Sequence, residues 1–267
     1  FMKKMVLRSN SLVTGSFVIY LQPTQNDFLD MATGADFSNT TLNFYPPANT
    51  TLFQKSISIS GTDLTLVGLG STSTIKMTGP WNVNGIHNLT LIGDALANTE
   101  GKATVLDTNG YSLNVGRHLY FCFGGGSPRY AKIAFSTGSH LIGGNISLHP
   151  NHDVNNRGYV DLGTSTVLVG GNFDAGLLTV TPGMSSLVLA GSAAQVFTSS
   201  GNSFHNVQST NTSSAGLTFA DTFSADQLLV NTTSLSAAAT IYFAGNSTFT
   251  VSTFTMAGSV ANPIILK

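Results

Sequence analysis

The chain has 267 residues, is 42% hydrophobic and only 9% charged, and carries a formal net charge of −1. That apolar content can support a continuous core, so disorder from low hydrophobicity and high charge is excluded. The near-neutral balance leaves no basic footprint for nucleic acid or an anionic membrane surface.

Glu occurs once, at Glu100, so the polar surface has to be built from Ser, Thr, Asn and Gly. Thr suits strands, while Asn and Gly suit turns. The chain opens on Phe1 rather than an initiator Met, and no apolar h-region follows the basic Lys3-Lys4 pair. It therefore reads as a piece of a longer chain without a signal peptide of its own. No run of 18 apolar residues is present, and no membrane insertion is expected.

Residues 1–55 read as an irregular cap or junction segment. Ser16-Phe-Val-Ile-Tyr-Leu21 predicts a strand, Asp27-Phe-Leu-Asp-Met31 a short helical turn or strand edge, and Pro23, Pro46 and Pro47 break the pattern. From residue 56 to 267, short apolar runs alternate with Ser or Thr, as in Ile57-Ser-Ile-Ser60, Leu187-Val-Leu189 and Phe249-Thr-Val251. They predict strands bounded by Gly, Asn and Ser.

A longer period groups these strands. Leu64-Thr-Leu-Val-Gly68 and Leu89-Thr-Leu-Ile-Gly93 are near-copies 25 residues apart. The triplets Gly143-Gly144-Asn145 and Gly170-Gly171-Asn172 start 27 residues apart. A unit of that size must stack on its neighbours to bury an apolar face. The prediction is an all-β parallel β-solenoid, a right-handed β-helix of roughly ten coils. At about 4.8 Å per coil it would form a rod roughly 45–50 Å long. The two triplets, with Gly201-Asn202 and Gly245-Asn246, are read as coil corners, where Gly and Asn tolerate left-handed backbone. Two polar segments, Thr99–Arg117 with its Asn109-Gly110 turn signal and His149–Arg157, are read as excursions carrying any recognition.

From Ser186 the residues carry a resemblance. Ser186-Leu-Val-Leu-Ala-Gly-Ser-Ala-Ala-Gln-Val-Phe-Thr-Ser-Ser-Gly-Asn-Ser-Phe-His-Asn-Val207 is similar to the phrase L-x-L-x-G-x-x-x-Q-x-F-x-S-x-G-N-x-F-x-N-L. That phrase is common in large bacterial extracellular β-strand-repeat proteins, adhesin-like chains akin to autotransporter passengers and filamentous haemagglutinins. The good match covers about a third of the chain. The resemblance implies an extracellular or cell-surface location and a structural or adhesive role. The closing Ala261-Asn-Pro-Ile-Ile-Leu-Lys267 and the early Met5-Val-Leu-Arg-Ser9 look like two ends of one repeating phrase. Modules would then join head to tail into a fibre, so the expected partners are copies of the chain or adjacent modules, with surface glycans as a further class.

Chemistry is sparse. His149, His152 and Asp153 offer two imidazoles and a carboxylate within five residues, a candidate transition-metal set. Pro150 precludes a helical His spacing and no second ligand cluster accompanies them, so the set reads as a polar loop and no cofactor is expected. The alternative function is a carbohydrate-active β-helix enzyme, a polysaccharide lyase or glycoside hydrolase, with Asp153, Asp161, Asp174 and Arg157 as its candidates. Asp161 and Asp174 are 13 residues apart, about half a coil, which sets them on different faces, and no enzyme is expected. Gly124-Gly-Gly126 lacks the Lys-Ser/Thr and helix of a phosphate loop. Cys122, the only cysteine, alternates with aromatics and reads as a buried thiol. Trp81, the only tryptophan, reads as a buried corner residue before an exposed sugar-stacking one. The Asn-x-Ser/Thr sites at Asn39, Asn49, Asn88, Asn145, Asn211, Asn231 and Asn246 would be glycan acceptors in a eukaryotic secreted protein, and the bacterial source that the resemblance implies would leave most of them silent.

Overall fold

The computed structural model describes residues 2–32, 35–68, 72–93, 103–122, 129–211, 213–231, 238–261 and 263–267. Among them are 28 strands and no helix. Every strand pairing is parallel, in sheets of eleven, nine, six and two strands. The fold is the all-β parallel β-solenoid expected from the sequence, with about ten turns.

One coil shows how the chain advances. Thr62–Val67 lies in the eleven-stranded sheet, Ser73–Met77 in the six-stranded sheet and Trp81–Val83 in the nine-stranded sheet. Leu89–Ile92 then returns to the eleven-stranded sheet beside Thr62–Val67. The strand of one side thus pairs in parallel with the strand one coil on, and the other two sides serve as the crossover that parallel pairing requires. Within each strand the period of two decides what is buried. Thr62, Leu64 and Leu66 point inward, while Asp63, Thr65 and Val67 point outward.

The repeats seen in the sequence are in register. Leu64, Thr65, Leu66 and Val67 sit opposite Leu89, Thr90, Leu91 and Ile92. The backbone NH of Gly170 donates to Ile142 O and that of Gly171 to Gly144 O, which overlays the two Gly-Gly-Asn corners.

The cross-section changes along the rod. Three-sided coils run from Thr50–Gln54, the first strand of the six-stranded sheet, to Leu178–Thr181, its last. Beyond that point the described strands alternate between two sheets only, through Gln195–Thr198, Ser203–Ser209, Leu217–Phe219, Phe223–Asn231, Ala239–Phe243, Phe249–Ala257 and Ile264–Leu266. The nine-stranded side compensates by lengthening, from four residues at Ser186–Leu189 to nine at Phe223–Asn231. Asn202 closes the exposed edge where the third side stops. Its Nδ2 donates to Leu178 O and its Oδ1 accepts from Val180 N, as a further strand would.

The core fills these two sections differently. The three-sided part holds mainly Leu, Ile and Val, with Trp81 fully buried and its Nε1 donating to Lys55 O at 3.1 Å. The two-sided part is packed with rings, Phe173, Phe197, Phe219 and Phe243 on one sheet against Phe204, Phe223 and Phe249 on the other. Cys122 is buried, with Sγ 3.3 Å from Arg129 O and Arg157 O, and burial pushes its thiol up to about 11.

At the N-terminal pole, Met5–Leu7 pairs with Leu29–Met31, so the Asp27–Met31 segment supplies a strand rather than a helical turn. The predicted Ser16–Leu21 strand lies within Leu12–Leu21, which pairs with Asp36–Phe44 across a bulge between Thr14 and Phe17. Buried Gln54 locks this pole to the body: its Nε2 donates to Leu29 O and its Oε1 accepts from Leu29 N. Leu21, Phe28 and Leu29 are fully covered there.

Candidate functional site

The His149–Arg157 loop turns the corner between Ile146–Leu148 and Arg157–Asp161. Its polar groups serve the turn itself. His149 Nδ1 accepts from Asn151 N, His152 Nδ1 meets His149 O at 2.7 Å, and Asp153 Oδ1 accepts from both the backbone and the side-chain amide of Asn155. His149 also packs edge-on against Tyr120 at 5.0 Å. Among the described residues, no group of three or more His, Cys, Asp or Glu side chains is placed to hold a metal ion.

The Thr99–Arg117 segment differs from its reading as an excursion. Residues 99–102 lie outside the described residues, but Thr104–Asp107 and Leu113–Val115 are strands of the solenoid body. Asn109 and Gly110 do make the expected tight turn, with φ of 53° and 85°, as the corner between those strands. Polar composition misled here because many outward positions of a coil are polar. Gly124-Gly-Gly126 lies outside the described residues.

Asp161 stands in the six-stranded sheet and Asp174 in the eleven-stranded sheet, so these carboxylates occupy different faces. Each caps its own turn, Asp161 Oδ1 accepting from Gly163 N and Asp174 Oδ1 from Gly176 N.

The Gly-Asn pairs all fall at corners between strands, for two different physical reasons. Gly201 and Asn246 adopt positive φ, 75° and 61°. Gly143, Gly144, Gly170 and Gly171 do not. There the need is close approach: a Cβ on Gly170 would lie 2.4 Å from Gly143 O, and one on Gly143 would lie 2.5 Å from Gly116 O.

The asparagines form one continuous column. Asp63 Oδ1 accepts from Asn88 N, Asn88 Oδ1 from His118 N, and His118 Nδ1 from Asn145 N. Asn145 Oδ1 then accepts from Asn172 N, and Asn172 Oδ1 from Val196 N. Each side chain thereby satisfies the first backbone NH of the next coil, which a corner would otherwise leave orphaned. Sequence reading found Asn145 and Asn172 but missed Asp63, Asn88 and His118. The signal was there: each stands directly before the first inward Leu of a strand, at Leu64, Leu89 and Leu119.

His118 is the one imidazole among these rungs. Burial, then the Arg117 charge, hold its imidazole below the ordinary histidine range. Buried His140 has the same arrangement, with Nδ1 accepting from Leu113 N and burial lowering its pKa. A depressed folded-state pKa means that the unfolded chain binds the proton first. The stability these rings confer is therefore complete above about pH 6.5 and lost as pH falls below it. Urea midpoints should drop between pH 7.5 and 5.5. His118→Asn, which keeps an acceptor but cannot titrate, should reduce that drop by an amount on the order of one hydrogen bond, about 0.5–1.5 kcal/mol. An unchanged pH dependence in that variant would refute the assignment.

The surface most unlike a finished protein exterior is the C-terminal pole. Along the nine-stranded sheet the inward column runs Leu187, Val207, Leu228, Phe254. Val207 and Leu228 are 0% and 2% exposed, whereas Phe254 is 43% exposed. The adjacent column passes from Val230 at 0% to Met256 at 48%, and on the other side from Ile241 at 1% to Leu266 at 44%. Phe249–Ala257 and Ile264–Leu266 are also the end strands of their sheets. No helix is long and apolar enough to cross a membrane, and this leaves β-barrels unaddressed. No family model matches the chain, and no curated protein or solved structure matches it.

Proposed function

We propose that the chain is a rigid structural or adhesive module of a secreted or surface-anchored repeat protein, and that its open pole is covered by a coil of an adjacent module or copy, building a head-to-tail fibre. The observation that carries this reading is the set of three core columns whose side chains are buried coil after coil until Phe254, Met256 and Leu266. Exposed apolar side chains beside a strand edge with unpaired backbone groups form a template for another strand. At the opposite pole the inward Leu21, Phe28 and Leu29 are covered, and the exposed apolar residues Val6, Leu12 and Val18 lie outside that core, so the two ends differ, as a polar assembly requires. The corner column and the parallel ladders hold each coil to the next, which supplies the stiffness.

The test is assembly of the purified chain. Sedimentation should show concentration-dependent growth, and negative-stain images should show end-to-end rods. Combining Phe254→Lys with Met256→Lys places two charges on the open pole and should leave folded monomers with nearly the same melting temperature. A wild-type chain that stays monomeric at high concentration, or a double variant that assembles as well as the parent, would overturn the reading.

A further inference from the structure

The outward face of the eleven-stranded sheet carries a trough of about 500 Å³. Register places Asn43, Thr65, Thr90 and Tyr120 in a single outward column across four successive coils. Three strand spacings make that column about 14 Å long. The two threonines are short side chains between larger ones, Asn43 with nearby Tyr45 toward one end and Tyr120 at the other. Tyr120 is held from both sides, 4.9 Å from the His118 ring and 5.0 Å from the His149 ring.

Two polar atoms at this trough lack partners. Asn43 Oδ1, an acceptor, and Arg129 Nε, a donor, are buried without a hydrogen bond among the described residues. Arg129 Nη1 donates to Gly93 O at 3.2 Å, which holds the guanidinium beside the trough. Buried polar groups in folded proteins nearly always find a partner. A ligand that fills this trough, met by a turn of the Asn43 amide and the Arg129 side chain that brings these covered atoms to its surface, should supply both a donor and an acceptor and offer an apolar face to tyrosine. A sugar ring does all of this, because each hydroxyl donates and accepts and the C–H face stacks on an aromatic ring.

Charge and topology narrow the class. Asp63 and Arg129 are the trough's only formal charges among its described lining residues, one of each sign, so it is balanced. A nucleic acid would need several cations. An extended peptide adding to the sheet would need a free strand edge, but Thr62–Val67 and Leu89–Ile92 are paired on both sides. We propose that this trough is a binding site for a neutral glycan chain, seated along the rod axis between Tyr45 and Tyr120. The site stands on its own whether or not the open pole is covered.

The experiment titrates the full chain with maltohexaose, cellohexaose, laminarihexaose and chitohexaose, with an oligogalacturonate as the acidic counterpart, followed by calorimetry and saturation-transfer NMR. At least one neutral hexasaccharide should bind saturably in the millimolar range or tighter. Tyr120→Ala and Asn43→Ala should each weaken binding at least tenfold, whereas Tyr120→Phe should hold it within about threefold because the stacking face remains. Tyr159→Ala, in the six-stranded sheet, should bind as the parent does. Thermal melts confirm that each variant is folded, and either trough variant suffices if the other unfolds. Absence of binding to every neutral sugar, binding of the oligogalacturonate alone, or affinity unchanged by both trough variants would overturn the proposal.

Discussion

Phe197→Ala is expected to lower the unfolding free energy by about 3–5 kcal/mol, the range for deleting a fully buried ring. Phe197 is surrounded by rings: Phe173 at 5.5 Å, Phe204 at 5.1 Å, Phe219 at 5.5 Å and Phe223 at 5.4 Å. Its backbone is paired on both sides, to Phe173 and to Phe219, so the walls of the cavity have little freedom to collapse. It also stands where the three-sided coil gives way to the two-sided one, and no third sheet is available to fill the gap. Because each coil touches only its neighbours, the damage should stay local. Hydrogen exchange should accelerate in the strands from Gln195 to Ala257 and remain slow from Ile57 to Ile92. Phe197→Leu, which restores most of the volume, should cost less than half as much. A loss under about 1 kcal/mol for the alanine variant would mean that the ring cluster is not the core of the two-sided section.

Gly170→Ala is expected to destabilise by about 1–3 kcal/mol, the cost of forcing atoms into a filled space. The added methyl would meet Gly143 O at 2.4 Å, Gly143 C at 3.0 Å and Gly143 Cα at 3.3 Å, all backbone, so two coils would have to move apart. Gly245 provides the contrast, for a methyl there meets nothing within 4 Å and Gly245→Ala should be close to neutral. Gly201 separates the second cause: its surroundings are open, but its φ of 75° should make Gly201→Ala cost on the order of 1 kcal/mol in backbone strain alone. Three glycines of the Gly-Asn corners should thus give three different melting temperatures. Equal shifts at Gly170 and Gly245 would sink the steric account.

Much of the architecture was legible because a solenoid writes its pairing into its own sequence. The match of Leu64-Thr-Leu-Val to Leu89-Thr-Leu-Ile is the register itself. The loss of the third side was not legible. In Phe223–Asn231 the alternation slips once, Asp226 and Gln227 both facing outward between inward Ala225 and Leu228, so the stretch reads as two short strands rather than one long one. The corner column was half legible, since Asn145 and Asn172 stand beside glycines whereas Asp63, Asn88 and His118 do not. The trough was hidden for a different reason. Asn43, Thr65, Thr90 and Tyr120 are spread over four coils, and each alone is an ordinary outward residue.

The change from three sides to two has a mechanical consequence. A triangular prism resists bending about every transverse axis, whereas a flattened two-sheet slab resists it across its width and yields through its thickness. The segment from Gln195 to Ala257 should therefore behave as a leaf spring at the end of a stiff strut, compliant in one plane only. Tension along the rod acts differently, because it is carried by the hydrogen bonds between coils. Every coil then bears the same load in series, and the first to part is the weakest junction in the stack.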